Sequence, residues 1–564
     1  MNLRPPATVM KAARLGAFHQ SRLSFMRQLL RRLKTEGWQF QRRLWNIDSQ
    51  GVGRAVYTAT GPERSYSLVA FAHDLDPALR SDRVIATAWD ATFALFDGIP
   101  ESADLDRLQE NVPKQEAGRI SSRELCMARA NRSVRLFEHV VQALADGRQP
   151  NHDCIDEVGY LMRTTAVYGS GKFGAADRES IAGRSELAAP FQAEMLTVYL
   201  IRAFTLDLVE HLARARAPQR AVPLAPQLRR CFGIGNSTGL GMAPFLLNHP
   251  VLLNNWVQAR EIALQRVRAV RQPSASQRRT FVEFLARARA GIEHWHSDHE
   301  LQHGRILQLQ DDLQRLEQQL EGGVLHRDSP WDALYRWAQT ELSLEGQECL
   351  VSLLLEPYGH LVDALGSNMQ ADEQHSFCID GGMTLDQLRQ ILAQHYAWVD
   401  AIDFSNAGSR ALFWYVSEEK LEPRLGQRHA EPGQELEQPL AVARDIALLQ
   451  ATLEPCAEQR TVASFLLEHP QHRHSVRRVQ LAPRFPYADI QDNLIDQALL
   501  PIDLLRCKLS FFGATHFDPR SDRWVRITLF QNAPFPHELG EVAADDWSYP
   551  SLDCQEYSRE CLAE

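Results

Sequence analysis

The densest run of small hydrogen-bonding side chains is Gly233, Gly235, Asn236, Ser237, Thr238, Gly239 and Gly241, followed a few residues later by Asn248, His249 and Pro250. Glycines let backbone N–H groups approach a ligand closely, and a helix expected after Pro250 would turn its positive end toward an anion. A carboxylate or a phosphate fits such a stretch. It lacks the lysine of a Walker loop, and no convincing strand and acidic partner flank it as a dinucleotide fold requires. The plainer reading of the same residues is a glycine-permitted chain reversal between packed helices.

Two further segments carry cations and turn residues at similar spacing. Arg163, Tyr168, Ser170 and Lys172 in the first are answered by Lys508, Phe512, Thr515 and His516 in the second, and Arg506, Arg520, Arg523 and Arg526 add positive charge to the latter. Arginines and lysines at this density suit an anionic substrate. Histidine titrates near neutrality and a partly desolvated lysine is brought down toward it, so Lys172, His249 and His516 are the candidate proton carriers. Arg163, Tyr168, Ser170, Asn236, Ser237, Thr238, Asn248, Lys508, Arg520 and Arg523 are the candidate substrate-binding residues. The competing view of each charge is a solvated turn.

His299, Glu300 and His303 form H-E-x-x-H, which on a helix sets two imidazoles on one face beside a carboxylate, as zinc-assisted hydrolysis needs. The motif here opens a polar helix, after Ser297 and Asp298, rather than lining a core cleft. A solvated helix face is therefore the expected reading, and zinc hydrolysis the alternative. Asp489 and Asp492 have the spacing of a helix cap ahead of residues 494–500.

The elements that must hold these residues are mostly helical. Apolar residues at three- and four-residue spacing predict helices over residues 21–34, 123–145, 190–213, 250–270, 278–296, 299–320, 331–355, 385–396 and 440–453. Alternation and β-branched or aromatic content predict strands over 39–47, 55–59, 66–72, 411–416 and 524–530. The fold class expected is a helix-rich α+β protein.

Similar blocks recur in the same order near the start and in the last third, ending with Tyr168–Phe173 against Phe512–Phe517. This order predicts an internal duplication. Residues 1–190 would form a first α+β repeat, 191–375 an inserted helical region with the glycine-rich loop, and 376–564 the second repeat and a tail. Within the insertion Ile306, Leu309, Leu313, Leu316 and Leu320 have coiled-coil spacing, which predicts a helical hairpin arm suited to oligomerisation.

Composition narrows the class. Hydrophobic residues make up 44% and charged residues 23% of 564 residues, as in ordinary globular chains. The net charge of −10 argues against a surface devoted to nucleic acid. The basic run from Arg4 to Arg43, which holds one acid, Glu36, leaves nucleic acid or a membrane surface open, although a solvated helix face is the simpler expectation. The nine cysteines are scattered without a Cys-x-x-Cys pair, and no run is long enough for a membrane span, so a cytoplasmic chain is expected.

Together these features predict an enzyme of small-molecule metabolism acting on an anionic substrate by acid–base chemistry of lyase or isomerase type, as a homo-oligomer. No cofactor is named by any motif. A non-catalytic oligomeric binding or scaffold protein is the remaining alternative.

Overall fold

Runs of small, aromatic and β-branched residues separated by tight turns favour neighbouring strands that pair in sequence order. In the computed structural model they do so: β1 (Gln39–Ile47), β2 (Gly53–Thr60), β3 (Ser65–Ala72), β4 (Ala91–Asp97), β5 (Glu124–Arg132), β6 (Tyr160–Thr164), β7 (Gly233–Gly239) and β8 (Trp524–Leu529) lie side by side in that order in one sheet. Every pairing is antiparallel except β6 with β7, which is parallel. The structure describes residues 3–79, 88–111, 121–164, 181, 183–189, 191–239, 250–293, 295, 297–369, 378–405, 442–491, 501–514 and 524–539.

The helices that matter below are α1 (Ala12–Gly16), α2 (Phe25–Thr35), α3 (Ser102–Asn111), α4 (Gln192–Arg216), α5 (Pro250–Arg268), α6 (Ala275–Glu293), α7 (Glu300–Glu321), α8 (Leu344–Leu355) and α9 (Pro501–Phe512). The protein is thus a helix-rich mixture of helices and one curled sheet. The curl is visible at Tyr199 of α4, whose ring lies 6.1 Å from Phe40 of β1 and 5.3 Å from Phe530 just beyond β8. A helix enclosed by its own sheet must be apolar on nearly every side. Accordingly α4 is buried almost throughout, from Gln192 to Ala213. The opposite face of β2 to β5 is closed by Leu105 and Leu108 of α3, packed on Val69, Phe71 and Phe96.

Several expectations change in three dimensions. The region 123–145 is a strand, β5, and then a short helix, Phe137–Ala145. Residues of β5 are buried on both faces, so their apolar run has no alternation to distinguish strand from helix. The region 331–355 breaks into Pro330–Glu341 and α8, because Ser343 caps α8 through Gly346 N–H while Asp312 accepts its own N–H. The glycine-rich stretch is no loop between helices at Gly233–Gly239 but a sheet strand. There Gly235 lets the Tyr160 ring lie on the backbone, since a Cβ would stand 2.3 Å from Tyr160 Cγ.

Part of the basic run is buried rather than solvated, although Lys11, Lys34, Arg42 and Arg43 are exposed. Arg4 forks onto Glu261 at 2.6 and 2.7 Å, Arg27 onto Glu356 at 2.6 and 2.7 Å, and Arg22 onto Asp363 at 2.6 and 2.9 Å. These cations neutralise acids of the middle helices and so tie the first residues into the body. Asp489 likewise accepts from Tyr396 and Arg478, while the helix it was expected to cap, together with Asp492, lies outside the described residues. Helices α6 and α7 pack together as a pair, but Phe281 lies against Trp331, and Leu309, Leu313 and Leu316 join the main core, so neither helix projects as a free arm. The sheet takes strands from residues 1–190, 191–375 and 376–564 alike.

Candidate functional site

A parallel pair needs a crossover, and α4 supplies the one between β6 and β7. Both strands therefore end on the same side, β6 at Thr164 and β7 at Gly239, and β8 begins there because Trp524 pairs with Gly239. The carboxyl ends of parallel strands at a change of strand direction are the usual ligand crevice of open α/β sheets.

Two helix amino ends also meet one another. Phe25, the first residue of α2, lies 5.4 Å from Phe191, the residue before α4, and Phe191 lies 5.1 Å from Phe512 at the end of α9. Gln192 Nε2 donates to the Phe25 carbonyl at 3.3 Å. In the second turn of α5, Trp256 donates to the Leu23 carbonyl at 3.3 Å, and its ring lies 4.0 Å from Phe511. Exposed helix N–H groups and the helix dipole make such ends attractive to anions.

Local chemistry at α2 strengthens this. Its first turn carries no acid, and Ser24, the capping residue, makes no side-chain cap bond. The Ser24 hydroxyl is fully buried and finds no hydrogen-bond partner among the described residues. Phe191 holds φ at 60°, a left-handed conformation that a bulky side chain rarely adopts outside strained sites. Glu194, in the first turn of α4, is a buried carboxylate close to the same junction.

The sequence-predicted residues divide clearly. Arg163 is half-buried in β6, level with Gly235 of β7. Asn236, Ser237 and Thr238 are in β7, paired with Ile527, Arg526 and Val525. Lys508 is in α9. Tyr168, Ser170, Lys172, Asn248, His249, His516, Arg520 and Arg523 lie outside the described residues. Their places in the chain are still informative: Lys172 follows Thr164, His249 directly precedes Pro250, and His516, Arg520 and Arg523 fall between Ala514 and Trp524.

The H-E-x-x-H residues sit elsewhere. His299 precedes α7 as its capping residue, and Glu300 and His303 are exposed on its first turn. Among the described residues no group of three histidine, cysteine or acidic side chains is placed to hold a metal ion. His472, close in the chain to His469 and His474, is buried against Phe465 and bonded to Thr452 at 3.0 Å.

Ser24, Phe191 and Glu194 escaped sequence reasoning. Ser24 had a usable signal, since serine before an amphipathic helix is a capping type. The strain at Phe191 has no sequence signature. No family model matches the chain, and no curated protein or solved structure matches it either.

Proposed function

We propose that the chain is an enzyme of small-molecule metabolism that takes an anionic substrate, a carboxylate or phosphate, where β6 and β7 end, and acts on it by proton transfer of lyase or isomerase type. Two observations support this reading: the parallel pairing that ends β6 and β7 on one side, and the meeting of the amino ends of α2 and α4 beside a buried Ser24 hydroxyl without a partner among the described residues. The segment bearing Lys172 follows β6 and the one bearing His516 precedes β8; Lys172, His249 and His516 are the proposed proton carriers, with Arg163 as an anion-binding cation. Ser170, Asn236, Ser237, Thr238, Asn248, Lys508, Arg520 and Arg523 are the proposed binding groups.

The same reading treats the turns at 168–173 and 512–517 as products of one duplication whose second copy contributes β8. It also takes the protein to be a cytoplasmic homo-oligomer; the scattered free cysteines fit a reducing compartment, and among the described residues no helix is long and apolar enough to cross a membrane.

Native mass spectrometry of protein purified without added anions, followed by titration with inorganic phosphate and with acetate, tests the reading. A retained or titratable anion is expected, with affinity falling about tenfold or more in Lys172→Ala and Arg163→Ala. Unchanged affinity in both variants would overturn the site.

A further inference from the structure

Charged side chains that are buried normally pair with one another and leave no space between them. A second location departs from that pattern. A cavity of about 260 Å³ lies between α1, α7 and the first turns of α8 and α9, and four charged groups line it: Arg305, Glu345, Asp503 and Arg506. Asp503 and Arg506 are three residues apart on α9, so one helix face presents a carboxylate beside a guanidinium. Each is engaged from the opposite wall. Arg305 Nη1 lies 2.9 Å from both oxygens of Asp503, and Arg506 forks onto Glu345, with Nη1 3.3 Å from Oε2.

Behind Glu345 stands His19, its Nε2 at 3.3 Å, with its ring stacked on Trp295. Burial pushes the Glu345 carboxyl up, but Arg506 and His19 outweigh it and hold Glu345 well below the usual carboxylate range. The carboxylate is therefore ionised at neutral pH. The wall at α1 is made of small residues, Ala13, Gly16 and its capping residue Ala17, with Gln308, Ser343 and Leu344 completing the lining. A Cβ on Gly16 would stand 2.5 Å from Asp503 Cβ, so only glycine allows α1 to approach this closely.

The lining thus carries two positive and two negative groups, Arg305 and Arg506 against Glu345 and Asp503. A ligand with one net charge would displace half of a pair and leave its partner uncompensated in a largely desolvated wall, which is unfavourable. A ligand bearing both charges replaces what it displaces on each side. The volume lies just below the range of drug-sized pockets and suits a small metabolite. We propose that this cavity binds a small zwitterion with an ammonium and a carboxylate, of free amino-acid size. The carboxylate meets Arg305 or Arg506, and the ammonium meets Asp503 or Glu345.

The cavity is separate from the strand-end site. Helix α9 connects them, with Asp503 and Arg506 near its start and Phe512 at its end, about 14 Å apart at 1.5 Å per residue.

Calorimetric titration of the full-length protein with the proteinogenic amino acids, and with acetate and methylammonium as single-charge probes, tests the proposal. At least one amino acid is expected to bind, with both single-charge probes weaker by about tenfold or more. Ala13 is exposed at the rim, so Ala13→Phe should obstruct the cavity without touching an ion pair and abolish that binding. Circular dichroism confirms that the variant is folded; if it is not, Gln308→Trp on the facing wall replaces it. Binding by none of the amino acids, equal binding of acetate, or binding unaffected by the obstructing variant would each overturn the proposal. Lys172→Ala should leave amino-acid binding unchanged, which separates this result from failure of the strand-end site.

Discussion

Ser24 and Gly513 meet where α2 begins and α9 ends: a Cβ on residue 513 would stand 2.6 Å from the Ser24 hydroxyl oxygen, and Gly513 holds φ at 97°. Gly513→Ala therefore adds backbone strain to an overlap in a packed junction. A loss of about 2 to 4 kcal/mol is expected in urea unfolding. Anion affinity at the strand ends should fall with it. A variant within about 0.5 kcal/mol of the parent would show that this contact does not hold the junction.

Arg202 is a fully buried clamp. From α4 its guanidinium donates to the carbonyls of Phe232 at 2.6 Å, Ala533 at 2.7 Å and Arg230 at 3.1 Å, and it lies 4.0 Å above the Phe535 ring. It joins the start of β7 to the chain leaving β8. Arg202→Lys keeps the charge but loses the planar fork, and Arg202→Met leaves three carbonyls without their donor. Destabilisation of about 3 to 5 kcal/mol is expected for Met, read by thermal unfolding, with faster amide exchange in β7 and β8.

Glu348 neutralises Arg4 at 2.8 Å, Arg14 at 2.6 Å and Arg260 at 2.6 Å inside the body. Burial raises its carboxyl, but the three arginines outweigh that and hold it well below its ordinary value of 4.5. A depressed acid contributes stability that is fully present above the unfolded value and is lost as pH falls toward the folded one. Glu348→Gln should cost about 3 to 5 kcal/mol at neutral pH and flatten the loss of stability below about pH 4.5. Equal acid sensitivity in both proteins would place that sensitivity elsewhere.

Asp445 has the opposite sign. Burial raises its carboxyl from 3.8 to about 6, against the opposing pull of Arg478 and Arg444, and its Oδ2 finds no hydrogen-bond partner among the described residues. The folded state prefers the protonated form, so stability present below about pH 4 is lost as pH rises through 6. Asp445→Asn should remove that decline and stabilise the protein at pH 7 by about 1 to 2 kcal/mol, discounted for partial exposure. Chemical denaturation at pH 4, 5, 6 and 7 reads both effects.

Much of the local architecture was legible. The strands β1, β2, β3 and β8 show in alternation and side-chain type, and α5, α6 and α7 in their three- and four-residue spacing. The inner strands β4 and β5 were not, because burial on both faces removes the period that distinguishes a strand. At β7 the glycines looked like a turn, since nothing local says that the Tyr160 ring needs their bare backbone.

The candidate site divides in the same way. Residue type alone drew attention to Arg163, Lys172, Asn236, His249 and His516, because cations, hydroxyls and glycines in clusters are visible wherever they fold. That β6, β7 and β8 lie side by side depends on pairings that join Arg163 to Gly235 and Ile234 to Leu529, far apart in the chain. The basic run from Arg4 was likewise plain as charge, but its partners Glu261 and Glu348 stand 257 and 344 residues away. Periodicity and composition act over one or two turns of chain, so the sequence by itself determined the elements and the chemistry available. Only tertiary packing, through long-range strand pairing and the need to neutralise buried charge, decided which of those groups share a site.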